Sequence, residues 1–181
     1  MQSGVNRFMK AQLITSAQNP KIKLCQQLRK KRNRDQSKTF LIEGYRELYR
    51  ASQADIECKS LFICPDLFLG ENEPELIASI ESKSCQVYEL PKNLFEKLSY
   101  RDRPDGLLAI AKQWESQQSD LKKLLEPQNP LWVVAVSIEK PGNLGTILRS
   151  ADACKASGVI VCDACTDVFN PNVVRASTGT L

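Results

Sequence analysis

Apolar positions along the chain fall into short runs separated by stretches of helical period. Asn19-Pro20 supplies a cap and a first-turn proline, which predicts a helix carrying Ile22, Cys25 and Leu28 inward. The same helix is expected to carry Arg29, Lys30, Lys31, Arg32 and Arg34 at its far end. Thr39–Ile42 then predicts a strand ending at Glu43-Gly44, Tyr45–Ala54 a helix and Leu61–Cys64 a strand. Asn72–Ser82 predicts a helix with Asn72 as cap and Pro74 in its first turn. Cys85–Leu90 follows as a strand, Pro91–Leu98 as a short helix and Leu107–Ala111 as another strand. Alternating β and α segments imply an α/β unit over residues 13–112 built on a mostly parallel, helix-covered sheet.

Residues 113–130 are polar, rich in Gln and Ser, and read as an interdomain linker around a short helical stretch. A second unit, residues 131–181, opens with the apolar run Leu131–Val136, suited to a central strand. A helix from Asn143 to about Ala156, a strand Val159–Cys162 and a helical piece near Pro171–Ser177 complete it. Two strands do not make an independently stable parallel sheet, so this unit is expected to be the first part of a larger, doubly wound domain.

Composition narrows the chemistry. The chain has no histidine, which removes Ser-His-Asp and Cys-His nucleophile chemistry and histidine-based zinc sites. Seven scattered cysteines and no apolar leader at Met1–Lys10 suit a reducing cytoplasm. Cys162-x-x-Cys165 stands alone, short of the four ligands of a structural metal site, so no metal is expected; a redox pair there is a weaker option. The run Leu131–Ile138 is too short to span a bilayer.

Net charge is +4, but its placement is uneven. Residues 1–50 hold 12 Lys/Arg against 3 Asp/Glu, residues 51–130 hold 9 against 14, and residues 131–181 hold 4 of each. The positive charge is an N-terminal property, which suggests a polyanion bound at one end. Arg29, Lys30, Lys31, Arg32 and Arg34 suit RNA phosphates or, alternatively, a solvated helix end. Few aromatics interleave the cluster in sequence, so base stacking there is not expected.

The chemistry concentrates in VSIEKPGNLGTILRSADA, residues 136–153. A strand there runs through Glu139-Lys140-Pro141-Gly142-Asn143 directly into a helix, where open α/β sheets collect ligands. At about 100° per residue, Leu144, Ile147, Leu148 and Ala151 share one face. Gly142, Gly145, Thr146, Arg149 and Ala153 lie opposite, a small-residue flank with a single arginine that invites close approach of a backbone, subunit or ligand. By geometry alone, turn-shaping glycines and a solvated Arg149 are the more ordinary reading. Dinucleotide and Walker glycine patterns are absent.

The segment Pro141-Gly142-Asn143-Leu144-Gly145-Thr146-Ile147-Leu148-Arg149-Ser150-Ala151-Asp152 closely resembles the first motif of the SpoU/TrmH family, RNA 2′-O-ribose methyltransferases of the SPOUT superfamily. FNPNVVRASTGTL is similar to the family segment after the next strand, at Asn170, Pro171, Arg175, Ser177 and Gly179. The basic helix with Phe40–Gly44, and Leu98–Ala111, resemble the family's substrate-binding domain. The resemblance covers about residues 13–181.

It implies a small α/β substrate-binding domain followed by the start of a parallel-sheet domain of the trefoil-knot type. The two later motifs that hold S-adenosylmethionine in the family do not occur before Leu181. The chain is therefore expected to be a fragment, inactive alone, with its cofactor-binding residues unassigned. The implied reaction moves a methyl group from S-adenosylmethionine to a ribose 2′-hydroxyl, of rRNA rather than tRNA. Asn143 would position the target and Arg149 would serve as catalytic arginine, as an electrostatic clamp on the developing alkoxide unless strongly perturbed toward a base. Glu139 would orient Arg149 or cap the turn, and Gly142 and Gly145 would shape it. A homodimer follows from the family. The alternative reading is a non-catalytic RNA-binding module.

Overall fold

The computed structural model describes residues 11–115, 130–163 and 166–181. Five strands form the first sheet: β1 (Gln12–Leu13), β2 (Thr39–Glu43), β3 (Cys58–Ile63), β4 (Gln86–Glu89) and β5 (Leu107–Lys112). Their order is β1-β4-β3-β5-β2. β1, β4 and β3 run parallel, whereas β5 is antiparallel to both of its neighbours. The sheet is thus mixed, where alternation of elements had predicted a mostly parallel one. Leu98 and Leu107 are joined by a loop rather than a crossover helix, and a short loop lets β5 enter the sheet in the reverse direction.

Period-two alternation gives this sheet two cores. Phe40, Ile42, Leu61, Ile63, Leu107 and Ala109 face α3 (Tyr45–Gln53) and α4 (Glu73–Ser82). Leu41, Phe62, Leu108 and Ile110 face α1 (Pro20–Gln27) and α5 (Lys92–Leu98). Asn19 caps α1, its Oδ1 accepting from Lys21 N at 2.9 Å. Asn72 makes no such bond; Glu73 Oε1 instead accepts from Leu69 N and Gly70 N. Cys25, Cys58, Cys64 and Cys85 are buried and free, and burial pushes the Cys58 thiol up to about 11 and the Cys85 thiol to about 12.

The single helix expected through Arg34 is two helices. α1 ends at Gln27, and α2 spans Lys31–Ser37. No glycine or proline marks the break. Side chains of α2 make it, because Asn33 Nδ2 donates to Gln27 O at 2.8 Å and Arg34 Nη1 donates to Leu28 O and Arg29 O at 2.8 and 3.0 Å.

In the second unit β6 (Trp132–Val136) pairs in parallel with β7 (Gly158–Cys162). α6 (Pro141–Ala153) covers one face through Leu144 and Leu148, while Val134 and Val136 on the other face are 57% and 52% exposed. The expected central strand is therefore covered on one side only among the described residues. α7 (Pro171–Ser177) joins the two units: Val173 packs with α6 and Val174 enters the first unit's core against edge strand β2. Phe169 adds a ring contact to Phe40, centroids 4.9 Å apart. Residues 116–129, most of the expected linker, lie outside the described residues.

Candidate functional site

β6 delivers the chain to the site, and Ser137 turns it in the left-handed region at φ 52°. Pro141 then opens α6 in its first turn. Lys140 is the cap residue and makes no side-chain cap bond, and among the described residues Glu139 makes none either and stands exposed. Gly142 and Asn143 are exposed as well, and a Cβ built on Gly142 meets nothing within 4 Å.

Gly145 is the opposite case. A Cβ there would sit 2.4 Å from Ala176 Cβ and 2.8 Å from the Ala176 carbonyl carbon. The small-residue flank of α6 is thus taken up by α7 of the same chain at this point. Seven residues on, Asp152 meets Arg50 of α3 at 3.2 Å. Gly145, Arg149 and Asp152 share one helix face at i, i+4 and i+7. Arg149 therefore projects between the two places where α6 touches α7 and α3. It is exposed, with no hydrogen-bond or ion-pair partner among the described residues.

The basic cluster divides by burial. Lys30 and Arg32 are exposed. Lys31 is exposed but pairs with Asp35 at 2.6 Å, and this partner raises its pKa. Arg29 is exposed while its Nη2 donates to Leu98 O and Ser99 O at 2.9 and 3.0 Å. Arg34 corrects the expectation of a phosphate contact. It is 1% exposed and bound to Asp167 Oδ2 at 2.6 and 3.0 Å, so its charge is spent joining the two units.

Folding also supplies the aromatic that the linear sequence lacks. Tyr100 lies with the guanidinium of Arg29 5.5 Å from its ring centroid and that of Arg175 at 5.9 Å. Its hydroxyl accepts from Asn172 Nδ2 at 3.1 Å. Beside it a cleft of about 530 Å³ opens between the start of α3, the Arg101–Asp105 loop and the end of α7. Sequence reading assigned no role to Tyr100, Arg46 or Arg101; Arg46 lies far in the chain from the adjacent Tyr100 and Arg101, and the fold brings Arg46 and Arg101 to one cleft.

Cys162 ends β7 half-buried, and Cys165 lies outside the described residues. No group of three or more potential metal ligands occurs among the described residues. No helix among them is long and apolar enough to cross a membrane.

Residues 19–109 match the profile of the MRM3-like substrate binding domain, and residues 130–181 match that of the SpoU rRNA Methylase family. The chain belongs to the SpoU rRNA methylase family. It is 27% identical over 92% of its length to the 23S rRNA (guanosine(2553)-2′-O)-methyltransferase of Bacillus subtilis, of which it covers 60%. To the 23S rRNA (uridine(2479)-2′-O)-methyltransferase of Streptomyces viridochromogenes it is 31% identical over 94% of its length, covering 58%. An AdoMet-bound rRNA methyltransferase from Sinorhizobium meliloti superposes with a TM-score of 0.81 at 30% identity, over 94% of this chain and 62% of that one. A solved RNA 2′-O ribose methyltransferase is 39% identical with a TM-score of 0.75, over 93% and 62%. The chain spans about 60% of the length of these two curated relatives.

Proposed function

We propose that this chain carries the RNA-binding unit, residues 13–112, and the opening part of the catalytic domain, residues 131–181, of a SpoU-type enzyme. Its reaction is methylation of a ribose 2′-hydroxyl in rRNA with S-adenosylmethionine as donor. The observation that carries this reading is Arg149. Among the described residues it is an unpaired cation, exposed on the flank of the helix that follows β6 and on the helix face that meets α7 at Gly145 and α3 at Asp152.

Arg149 acts by charge. The guanidinium stabilises the negative charge that develops on the 2′-oxygen as the methyl group is transferred, and solvent water takes up the hydroxyl proton. Asn143, exposed in the first turn of the same helix, donates or accepts a hydrogen bond to position the sugar. Arg29, Lys30, Lys31 and Arg32 hold the RNA backbone, which makes affinity fall with salt. Gly142 leaves room at the helix start and Gly145 lets α7 close on α6. Glu139 has no capping role left to it and orients the bound RNA or Arg149 electrostatically.

The described residues at the carboxyl end of β6 do not form a cradle for S-adenosylmethionine. At the carboxyl end of β6, Ser137, Glu139, Lys140, Gly142 and Asn143 are all exposed, and the space beside Gly142 is open. No step at the methyl donor is derived from them. The relatives act on rRNA by name, which favours rRNA over tRNA. The buried thiols Cys25, Cys58, Cys64 and Cys85 suit the cytoplasm, and a homodimer is the assembly expected of the enzyme.

Ribose-methylation mapping of rRNA in the source cells tests the reading. Replacing Arg149 by Ala at the chromosomal locus should erase one 2′-O-methyl mark at unchanged protein level. A map identical to wild type, in that variant and in the deletion, would refute it.

A further inference from the structure

The cleft beside Tyr100 has a floor whose hydrogen-bonding capacity is unspent. Glu47 is 5% exposed at its side chain and pairs through Oε1 with Arg101 Nη2 at 2.7 Å. Its Oε2, Asp105 Oδ1 and Arg101 Nε are buried, and none has a hydrogen-bond partner among the described residues. All three residues line the same cleft. Asp105 Oδ2 is already occupied, accepting from Tyr45 N at 2.8 Å and so closing the start of α3. Gly44, at φ +109°, has no Cβ, and the place a Cβ would take is filled by the Arg101 guanidinium and Glu47 Oε2 at 2.5–2.6 Å. The glycine lets these charged groups come together.

The spare capacity is two acceptors and one donor. Around it stand Arg46 and Arg175, both exposed and outside any ion pair among the described residues, and Tyr45 with its ring beside that of Tyr49. A ligand that fits offers two adjacent N–H donors and one acceptor on one edge, a flat face, and an anion for the rim. Among the RNA bases only guanine presents that edge, through N1–H, the 2-amino group and O6. Adenine and cytosine each offer one donor group beside acceptors, and uracil one N–H between two carbonyls. Unpaired bases are the ones proteins read on this edge.

We propose that the cleft is a guanine-reading subsite, in which an unpaired G of the substrate RNA meets Glu47, Asp105 and Arg101 while Arg46 and Arg175 hold its phosphates. Arg101, a quarter exposed, is the side chain whose shift admits the base. The proposal rests on the reading of the protein as an RNA enzyme and adds the base that it selects.

Equilibrium binding of this chain to short labelled RNAs, without methyl donor, tests it. A uridine run with a central G should bind about tenfold tighter than the all-uridine run, as a site built for these hydrogen bonds rejects a base lacking them. Central inosine, which lacks the 2-amino group, should fall between. Glu47→Gln and Asp105→Asn, each confirmed as folded by circular dichroism, should each cut the preference for G to about twofold. Arg46→Ala should weaken all three RNAs by the same factor. Equal affinity for the three RNAs, inosine binding as well as G, or a full preference surviving in both carboxamide variants would overturn it. A methylation map that fails while the G preference stands would sink the catalytic reading alone, and the converse would sink this subsite alone.

Discussion

Arg32 and Arg34 carry the same charge two positions apart and end in opposite environments. Arg32 stands in solvent; Arg34 is buried against Asp167 with two backbone carbonyls on its other nitrogen. Removing one member of a buried pair strands the other charge, so Arg34→Ala should cost about 3 kcal/mol of stability. Arg32→Ala should cost less than about 0.5 kcal/mol. RNA affinity should answer in the reverse order. The slope of log affinity against log salt should drop by about 1 for Arg32→Ala and stay unchanged for Arg34→Ala, measured well below its melting temperature. A reduced slope for Arg34→Ala would mean that the guanidinium leaves Asp167 to reach phosphate. The run of five basic residues was legible in the sequence. Which member is buried was not, because Asp167 lies 133 positions away.

At the scale of elements, α6 was the most legible part of the chain. Leu144, Leu148 and Ala151 are buried as the helical period requires, and the flank of Gly142, Gly145 and Arg149 lies opposite. Small residues announce a close approach without naming who approaches, and here the neighbour at Gly145 is α7. The two glycines therefore predict opposite outcomes for one chemical change. Gly145→Ala places a Cβ 2.8 Å from α7 backbone, which must shift, so it should destabilise by about 2 kcal/mol despite the better helix propensity of alanine. Gly142→Ala enters open space and should gain about 0.5 kcal/mol, the propensity term alone near a helix start. Urea denaturation of both variants checks the pair, and equal effects would place α7 away from Gly145. The break between α1 and α2 was illegible for the same kind of reason: Asn33 and Arg34 cap α1 from the next helix, where sequence rules look for glycine or proline.

For the molecule as a whole, the sequence showed two α/β units but not the way they are joined. The mixed strand order depends on a loop between Leu98 and Leu107 that local periodicity does not describe. The seam between the units is built from single residues far apart in the chain. Phe169 meets Phe40 and Trp114, the latter with ring centroids 4.7 Å apart, and the pairs Arg34–Asp167 and Arg50–Asp152 flank them. α7 is shared, with Val173 in one core and Val174 in the other. Units that share a helix and a buried ion pair should unfold together, and the two tryptophans of the chain are placed to report it. Trp114 sits at the seam and Trp132 in β6 against Gly158. With Trp132→Phe the fluorescence follows the seam, and with Trp114→Phe it follows β6. Both urea midpoints should coincide with the loss of far-ultraviolet circular dichroism. Arg34→Ala, by freeing Asp167, should move the seam midpoint to lower urea ahead of the first unit's sheet. Distinct midpoints in the protein with Arg34 intact would show the two units to be energetically independent, and α6 would then not hold Arg149 at the seam, where its proposed catalytic role needs it.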